Sequence, residues 1–266
     1  MSFVHSHGVD LYYEVHGQGP AVVFAHGAGS NAATWWQQLP AFSQHYTCVL
    51  FDARCFGRST PSDARHFWPR FFVDDVLAIL DAEHIERAAF IGQSMGGMAG
   101  LRLALVEPGR VTRLVLADSP LALDHPALMA DVRGHLARAA DVQNEERALG
   151  PAFQREQPGL VELYRQIRLF NPPSFARGQN DLTSALMKQR FFAPDYLIDA
   201  DAVTRLRCPV LYIGGEADPV AKPGVMRELA ALTPLGSHVV VPRAGHSAYF
   251  EEPEAFNSAV LEFLAA

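Results

Sequence analysis

A serine with a glycine two positions away on either side is the residue whose setting most clearly predicts chemistry. The segment Gly92-Gln93-Ser94-Met95-Gly96 has the G-x-S-x-G pattern of a nucleophile elbow, a sharp strand-to-helix turn that exposes the serine. Glycines are required at both ends because side chains there would collide. The following helix directs its unpaired N–H groups and positive dipole end at the serine oxygen. The pattern therefore predicts a nucleophile at Ser94.

A serine hydroxyl is a weak nucleophile until a base takes its proton, so a histidine must lie within reach of it. His246 is the best candidate, because it stands in a Gly-His-Ser loop directly after the last predicted strand. His26 is the rival, but glycines follow it and we expect it to brace its own loop by hydrogen bonding. An acid must orient the base. Asp118 and Asp218 both follow predicted strands, and both are candidates.

The elements that would position these residues alternate between strands and helices. Short apolar runs predict buried strands, and the segments between them have helical spacing, which predicts an α/β fold with a doubly wound, mostly parallel sheet. Ligands bind outside the carboxyl ends of such strands, where the candidate residues stand. The predicted strands are an opening hairpin at 3–5 and 11–15, then 21–25, 46–51, 88–91, 113–118, 209–213 and 238–241. Predicted helices cover about 33–42, 69–82, 98–106, 224–232 and 253–265.

Between residues 120 and 203 the alternation stops. The segment predicts several helices, with breaks at Gly150-Pro151, Gln157-Pro158-Gly159 and Asn171-Pro172-Pro173. We expect a helical cap (120–203) over a core formed by 1–119 and 204–266. Aromatic and apolar residues are frequent in the cap, and a few of them should line a pocket. The candidate substrate contacts are Trp35, from the core, and Met187 and Phe191, from the cap.

Five motifs in order show what this chain resembles. They are His26-Gly27-Ala28-Gly29, the loop Asp52 to Ser59, the elbow Gly92 to Gly96, Gly214 to Asp218, and Gly245-His246 followed by Glu252-Pro253-Glu254. Along nearly its whole length the chain resembles the α/β-hydrolase fold superfamily, in its serine hydrolase or carboxylesterase-like form with a helical lid. The resemblance implies Ser94 as nucleophile, His246 as base and Asp218 as acid. It also implies an oxyanion hole formed by the backbone N–H groups of Ala28 and Met95, with no metal and no cofactor.

The function that this resemblance implies is hydrolysis of a carboxylic ester or lactone of a small to medium hydrophobic substrate, through an acyl-enzyme on Ser94. Carbon–carbon bond hydrolases of diketone ring-cleavage products are the alternative within the fold. Those enzymes usually carry Asn before the nucleophile and Trp after the histidine, where this chain has Gln93 and Ser247. Epoxide and haloalkane hydrolases use an aspartate nucleophile, which Ser94 argues against. A non-catalytic receptor and a cofactor-independent oxygenase stay open as further functions of this fold.

One residue departs from the family pattern. Cys55 stands where such enzymes usually have glycine in the loop after the second buried strand. We interpret it as a tolerated substitution in a supporting loop, and not as a nucleophile, since no histidine is evidently paired with it.

The composition of the chain limits the classes of binding partner that we expect. The chain has 266 residues, 49% of them hydrophobic and 19% charged, as in a globular protein with a substantial core. A net charge of −7 without a basic run argues against nucleic acid, and no apolar stretch is long enough to span a membrane. Three separated cysteines and an N-terminus without signal-peptide features favour a cytoplasmic protein. We expect a small-molecule substrate, and a homo-oligomer stays open.

Overall fold

The computed structural model describes residues 2–63, 65–137, 144–172 and 185–266. Its strands, in chain order, are β1 (Ser2–Ser6), β2 (Val9–His16), β3 (Ala21–Ala25), β4 (Thr47–Phe51), β5 (Ala88–Gln93), β6 (Val111–Ala117), β7 (Leu123–Asp124), β8 (Ile198–Asp199), β9 (Val210–Gly215) and β10 (Gly236–Val241). Every strand predicted from the sequence is present.

The main sheet has eight strands in the order β1-β2-β4-β3-β5-β6-β9-β10. Strand β2 pairs antiparallel with β1 and with β4, and the remaining neighbours pair in parallel. The predicted mostly parallel α/β sheet is therefore confirmed. All six residues of β5 are buried, as expected for a central strand that is covered on both faces.

The helices are α1 (Leu39–Phe42), α2 (Phe72–Ala82), α3 (Met95–Val106), α4 (Pro126–Ala137), α5 (Asn144–Ala148), α6 (Pro151–Glu156), α7 (Pro158–Leu169), α8 (Pro223–Leu232), α9 (Ala248–Glu251) and α10 (Pro253–Ala265). Short 3-10 helices lie at Ala32–Trp35, Pro69–Phe71 and Ala200–Arg205, and Met187–Phe191 forms a π-helical turn. The predicted helix at 33–42 is divided in two, because Pro40 lacks the N–H that would continue the first turn into the second.

Helices cover both faces of the sheet, and alternate strand residues belong to opposite sides of the core. Val23 on β3 packs in the cluster that includes the apolar side chains of α2, α3 and α8, whereas its neighbour Phe24 packs with Trp35 and the apolar side chains of α10. Because successive side chains of a strand point to opposite faces, the buried strands are apolar on both faces. The polar candidate residues therefore lie in the loops that follow the strands.

The helical insertion, which we define as residues 120–203, lies between β6 and β9. Helices α5, α6 and α7 end and begin at the predicted breaks before Pro151 and Pro158. One feature was not predicted: β7 and β8 pair in parallel, so the chain's entry to the insertion touches its exit. Each strand has only two residues, too few for a periodic pattern. Residues 138–143 and 173–184 of the predicted cap are outside the described residues, and its boundaries stay a prediction.

None of the helices formed by the described residues combines the length and the apolar character needed to cross a membrane.

Candidate active site

Ser94 lies between β5 and α3 in a strained backbone conformation. Its φ is 49°, in the left-handed region that side chains rarely adopt, at a cost of about 1–3 kcal/mol. A β-carbon on Gly92 would lie 2.4 Å from the carbonyl oxygen of Gly96, and one on Gly96 would lie 2.1 Å from the carbonyl oxygen of Ala25. The prediction that glycine is required at both positions is confirmed.

A continuous line of hydrogen bonds joins three of the predicted residues. The Nε2 atom of His246 lies 3.0 Å from Ser94 Oγ, and its Nδ1 atom lies 2.9 Å from Asp218 Oδ2 and 3.0 Å from Oδ1. A carboxylate only accepts, so Nδ1 carries the hydrogen and Nε2 presents its lone pair to the serine hydroxyl. The side chains come from the loops after β5, β9 and β10, which end at the same edge of the sheet.

The surroundings of His246 favour its charged form more strongly than water does. Burial by itself would lower the pKa of His246, but the charge and hydrogen bond of Asp218 outweigh it, and the pKa of His246 is raised. Burial would likewise raise the pKa of Asp218, yet His246 and the N–H groups of Val220 and Ala221 hold that pKa below its ordinary value. The carboxylate can therefore stabilise an imidazolium when one forms.

Asp118, the other candidate acid, has different partners. Its Oδ1 accepts from the N–H of Gly215 at 2.9 Å, and its Oδ2 accepts from the N–H of Ala248 at 3.0 Å. It thus links the end of β9 to the loop that carries His246. Burial and then the charge of Asp218 raise its pKa well above the ordinary value for aspartate. Its contacts are those of a residue that holds two loops together.

The predicted oxyanion donors, Ala28 and Met95, both lie near Ser94. Met95 directly follows it, and Ala28 lines the same cavity. Within the described chain, no acceptor is found for either backbone N–H. His26 braces this loop as predicted, since its Nδ1 donates to Gly27 O at 2.8 Å and its Nε2 accepts from the N–H of Ala53 at 2.9 Å. Burial lowers the pKa of His26, which keeps this neutral arrangement.

Two residues at the end of α7 also hold the Ala28 loop, and the sequence analysis missed both. Asn171 Nδ2 and Arg168 Nε both donate to the carbonyl oxygen of Gly29, at 2.8 Å and 3.1 Å. Asn171 Oδ1 in turn accepts from the N–H of Gly57 at 2.7 Å. The insertion therefore positions the backbone on which Ala28 stands. Asn171 appeared in the sequence as part of an Asn-Pro-Pro break, and no local pattern marks its long-range contacts.

A second link from the insertion reaches the histidine loop through Glu251, another residue that sequence reasoning missed. Its Oε2 accepts from the N–H of Gly150 at 2.7 Å, and its Oε1 accepts from the N–H groups of Gly245 at 2.9 Å and Ser247 at 3.3 Å. Burial raises the pKa of Glu251 to about 7 despite these three donors. The carboxyl group anchors both sides of His246 to the base of α6.

A cavity lined by Ser94 opens to solvent, and about 710 Å³ of space lies within it and its mouth. Its lining is not uniformly apolar. The apolar side chains come from the core and the insertion together: Ala28, Met98, Pro120, Val132, Leu136, Ala148, Met187, Phe192 and Val220. The polar ones are Gln93, Ser94, His135, Arg147, Tyr164, Arg168 and His246. The two arginines were not anticipated from the sequence.

The three candidate substrate contacts do not all lie at the cavity. Met187 lines the cavity. Trp35 and Phe191 do not, because both are completely buried elsewhere. The ring of Trp35 lies 4.6 Å from that of Tyr249, and Phe191 packs 5.3 Å from Phe72. These two residues belong to the hydrophobic core, since their aromatic neighbours enclose them.

Cys55 adopts a backbone conformation that favours glycine. Its φ is 73°, which glycine adopts without strain. The side chain is fully buried, and its Sγ donates to Asp63 O at 3.3 Å. Burial raises the pKa of the thiol to about 12, so the thiolate needed for nucleophilic attack does not form near neutrality. The described residues contain no cluster of three or more potential metal ligands.

Comparisons with known proteins show which fold family the chain resembles. The sequence profile of the alpha/beta hydrolase fold matches residues 20–253. The chain is 33% identical to RutD of Caulobacter sp. (strain K31), named as a carbamate hydrolase, over 96% of each chain. It is 30% identical to BpoC of Mycobacterium tuberculosis (strain ATCC 25618 / H37Rv), named as a non-heme bromoperoxidase, over 97% of this chain and 98% of BpoC. It is also 30% identical to 3-oxoadipate enol-lactonase 2 of Acinetobacter baylyi, over 95% and 92%.

Solved structures show the same likeness over the full length. Est816, an N-acyl homoserine lactone degrading enzyme, superimposes with a TM-score of 0.81 at 27% identity, covering 98% of this chain and 100% of Est816. The enol-lactonase of Burkholderia xenovorans LB400 superimposes with a TM-score of 0.81 at 25% identity, covering 100% of both chains.

Proposed function

The chain belongs to the alpha/beta hydrolase fold family, and from that premise we propose that it is a serine hydrolase of a carboxylic ester or a lactone. The observation that carries the proposal is the hydrogen-bonded line from Ser94 through His246 to Asp218, of which Ser94 and His246 line an open cavity. Hydrolysis is supported by the likeness to RutD, and a lactone by the likeness to Est816 and to two enol-lactonases.

In the first half of the proposed reaction, Ser94 forms a bond to the scissile carbonyl carbon. Its proton passes to Nε2 of His246, and Asp218 keeps the imidazole oriented and stabilises its positive charge. The carbonyl oxygen becomes an oxyanion, which the N–H groups of Ala28 and Met95 would stabilise without rearrangement.

The oxyanion then collapses, the bond to the alcohol oxygen breaks, and His246 returns its proton to that oxygen. In the second half, water loses a proton to His246 and attacks the acyl group on Ser94. Collapse of that second intermediate releases the carboxylic acid, and the proton goes back to Ser94. In a lactone the alcohol stays attached to the acyl chain, so one hydroxy acid is released.

The helical insertion is proposed as a lid that selects the substrate. It supplies much of the cavity lining, including Val132, Leu136 and Met187. Gln93 supports cleavage of an ester bond over cleavage of a carbon–carbon bond. Its amide is held 2.8 Å from the carbonyl oxygen of His246, where the diketone hydrolases usually carry the shorter Asn.

Fluorophosphonate labelling tests the proposal, because the reagent reacts with an activated serine. The native protein should lose activity with formation of one adduct, which peptide mass spectrometry should locate on Ser94. Ser94→Ala should not label, and Ser237→Ala, which removes an exposed serine on β10, should label like the native protein. A native protein that fails to label, or labelling that persists in Ser94→Ala, would refute it.

A further inference from the structure

Tyr164 brings a hydroxyl group from the helical insertion to the candidate site. It lies on α7, is 7% exposed, and lines the cavity together with Ser94 and His246. Its Oη lies 3.1 Å from Oγ of Ser247, the residue that follows His246 in the chain. The proposed transfer of protons between Ser94 and His246 does not use this hydroxyl, so it can serve another role.

The hydrogen bond between Tyr164 and Ser247 has a preferred direction. The two hydroxyl groups carry two hydrogens, and only one of them can lie between the oxygens. In the part of the chain that the structure describes, neither Tyr164 Oη nor Ser247 Oγ has another hydrogen-bond partner. Ser247 is fully buried, so a hydrogen that it directed elsewhere would stay unsatisfied, at a cost of about 1–3 kcal/mol. The favoured arrangement therefore has Ser247 donating and Tyr164 accepting.

In this arrangement the hydroxyl hydrogen of Tyr164 is directed to the cavity. Ser247 is closed off from solvent while Tyr164 lines the cavity, so the side of the tyrosine oxygen away from Ser247 is the cavity side. Arg168, one turn further along α7, also lines the cavity, but a guanidinium only donates and cannot accept this hydrogen. Burial raises the pKa of Tyr164, so the hydroxyl keeps its hydrogen near neutrality.

This hydroxyl lies on the leaving-group side of the candidate site. It contacts the residue next to His246, and in the proposed reaction His246 returns its proton to the departing alcohol oxygen. The alcohol portion of the substrate therefore lies on the histidine side of the scissile carbonyl. A polar group on that portion is the one that Tyr164 would reach.

We propose that Tyr164 donates a hydrogen bond to a second oxygen on the alcohol portion of the substrate, an inference that rests on the proposed ester or lactone hydrolysis. The substrate class is an ester or lactone whose alcohol portion carries an ether or carbonyl oxygen a few atoms from the alcohol oxygen. An alcohol portion made only of carbon would leave a buried hydroxyl without an acceptor, which is how a polar site discriminates against an apolar analogue. Tyr164 is thus a specificity-determining residue.

Two pairs of butanoate esters, matched in length, test this assignment. The 2-methoxyethyl and 3-methoxypropyl esters carry an ether oxygen where the butyl and pentyl esters carry a methylene group. Tyr164→Phe removes only the hydroxyl, so in at least one pair it should lower the ether-to-alkyl ratio of kcat/KM about two- to tenfold, the range expected for a neutral hydrogen bond. Each ratio is compared between proteins, so differences in the intrinsic reactivity of the esters cancel.

Ser247→Ala is the matched control, because it removes the neighbouring hydroxyl and keeps that of Tyr164. Its ether-to-alkyl ratios should stay at the native values. Tyr164→Phe combined with Ser247→Ala leaves no unsatisfied hydroxyl, and it should show the same loss as Tyr164→Phe alone. Unchanged ratios in Tyr164→Phe would overturn the assignment. Equal losses in Ser247→Ala and Tyr164→Phe would also overturn it, since they would show a general disturbance of the histidine loop.

Binding to Ser94→Ala separates this assignment from the proposed function, because it needs no turnover. In titration calorimetry, adding Tyr164→Phe to that background should lower the ratio of the affinities for the ether and alkyl esters by a similar factor. A ratio that stays the same would overturn the subsite even if the native protein hydrolyses all four esters. A ratio that depends on Tyr164, in a protein that hydrolyses none of them, would keep the subsite and refute the hydrolase proposal.

Discussion

The loops at the edge of the sheet and the helical insertion differ in how they contribute to the cavity. In the core, each candidate catalytic side chain lies in the loop that follows a strand, and the parallel strands β5, β6, β9 and β10 bring Ser94, Asp218 and His246 to one edge of the sheet. In the insertion, the lining comes from separate short helices, each contributing one or a few side chains. A sheet edge is a rigid frame for chemistry, whereas short helices can change their lining without disturbing it.

The core and the insertion do not have fully separate roles, because two contacts join them. Asn171 holds the Ala28 loop at Gly29, and Glu251 joins the histidine loop to Gly150 at the base of α6. Part of the insertion therefore supports the geometry of the candidate site as well as the shape of the cavity. Substitutions at Asp218, Asn171 and Met187 test whether the sheet edge and the insertion contribute differently, and their expected effects decrease in that order.

The largest effect is expected in the core, at the acid. Asp218→Asn should lower kcat by up to about ten-thousandfold, because an amide cannot stabilise the imidazolium of His246. Asp118→Asn should lower kcat far less and reduce stability by about 1–3 kcal/mol, since one of the N–H groups of Gly215 and Ala248 would lose its acceptor. Steady-state rates and chemical denaturation of both variants measure the two effects.

The pH dependence provides the control for that prediction. The pKa of His246 is raised mainly because the carboxylate of Asp218 outweighs its burial, so native kcat/KM should fall with decreasing pH through a value above the ordinary 6.5. Without the carboxylate, Asp218→Asn should shift this fall to lower pH, and Asp118→Asn should leave it nearer the native value. The opposite ranking of the two variants, at matched thermal stability, would assign the acid to Asp118.

A smaller effect is expected where the insertion supports the core. Asn171→Ala removes one of the two described side-chain donors to Gly29 O and the acceptor of the Gly57 N–H. We expect kcat to fall about ten- to a hundredfold on every ester while KM changes little, because a displaced oxyanion donor affects the transition state more than the substrate. Phe170→Ala, which removes a neighbouring side chain that is 59% exposed, is the matched control. A fall in kcat confined to one substrate would show that Asn171 contributes to substrate selection instead.

The smallest effect on the reaction is expected inside the insertion itself. Met187→Ala enlarges the cavity, so it should shift chain-length preference among aryl esters by several-fold, or about 1 kcal/mol, without lowering kcat on the smallest ester. Phe191→Ala should leave the preference unchanged and reduce stability by about 3–5 kcal/mol, since its ring is enclosed by the core. Rates across the ester series, with unfolding measured alongside, distinguish the two. Equal shifts in preference would show that Phe191 also reaches the ligand.

Interactions between residues close together in the chain explain the features that could be predicted from the sequence. The strands follow from apolar runs, the elbow follows from glycine sterics at Gly92 and Gly96, and the bracing role of His26 follows from its place among glycines. Each of these depends on residues within a few positions of one another. The order of elements then determines that polar residues after parallel strands meet at one edge, which explains why the sequence predicts the pairing of Ser94 with His246.

Contacts between distant segments depend on how the whole chain folds. Asp118 and Asp218 look alike in the sequence, and the folded loops alone direct Asp218 to His246 and Asp118 to backbone N–H groups. Trp35 and Phe191 are as apolar as Met187, yet packing encloses the first two and leaves the third at the cavity. Asn171 reaches Gly29 across 142 positions, and Arg147 faces the cavity from a short helix with no distinguishing pattern. Such contacts depend on how helices pack, and no periodicity within one segment encodes the position of another.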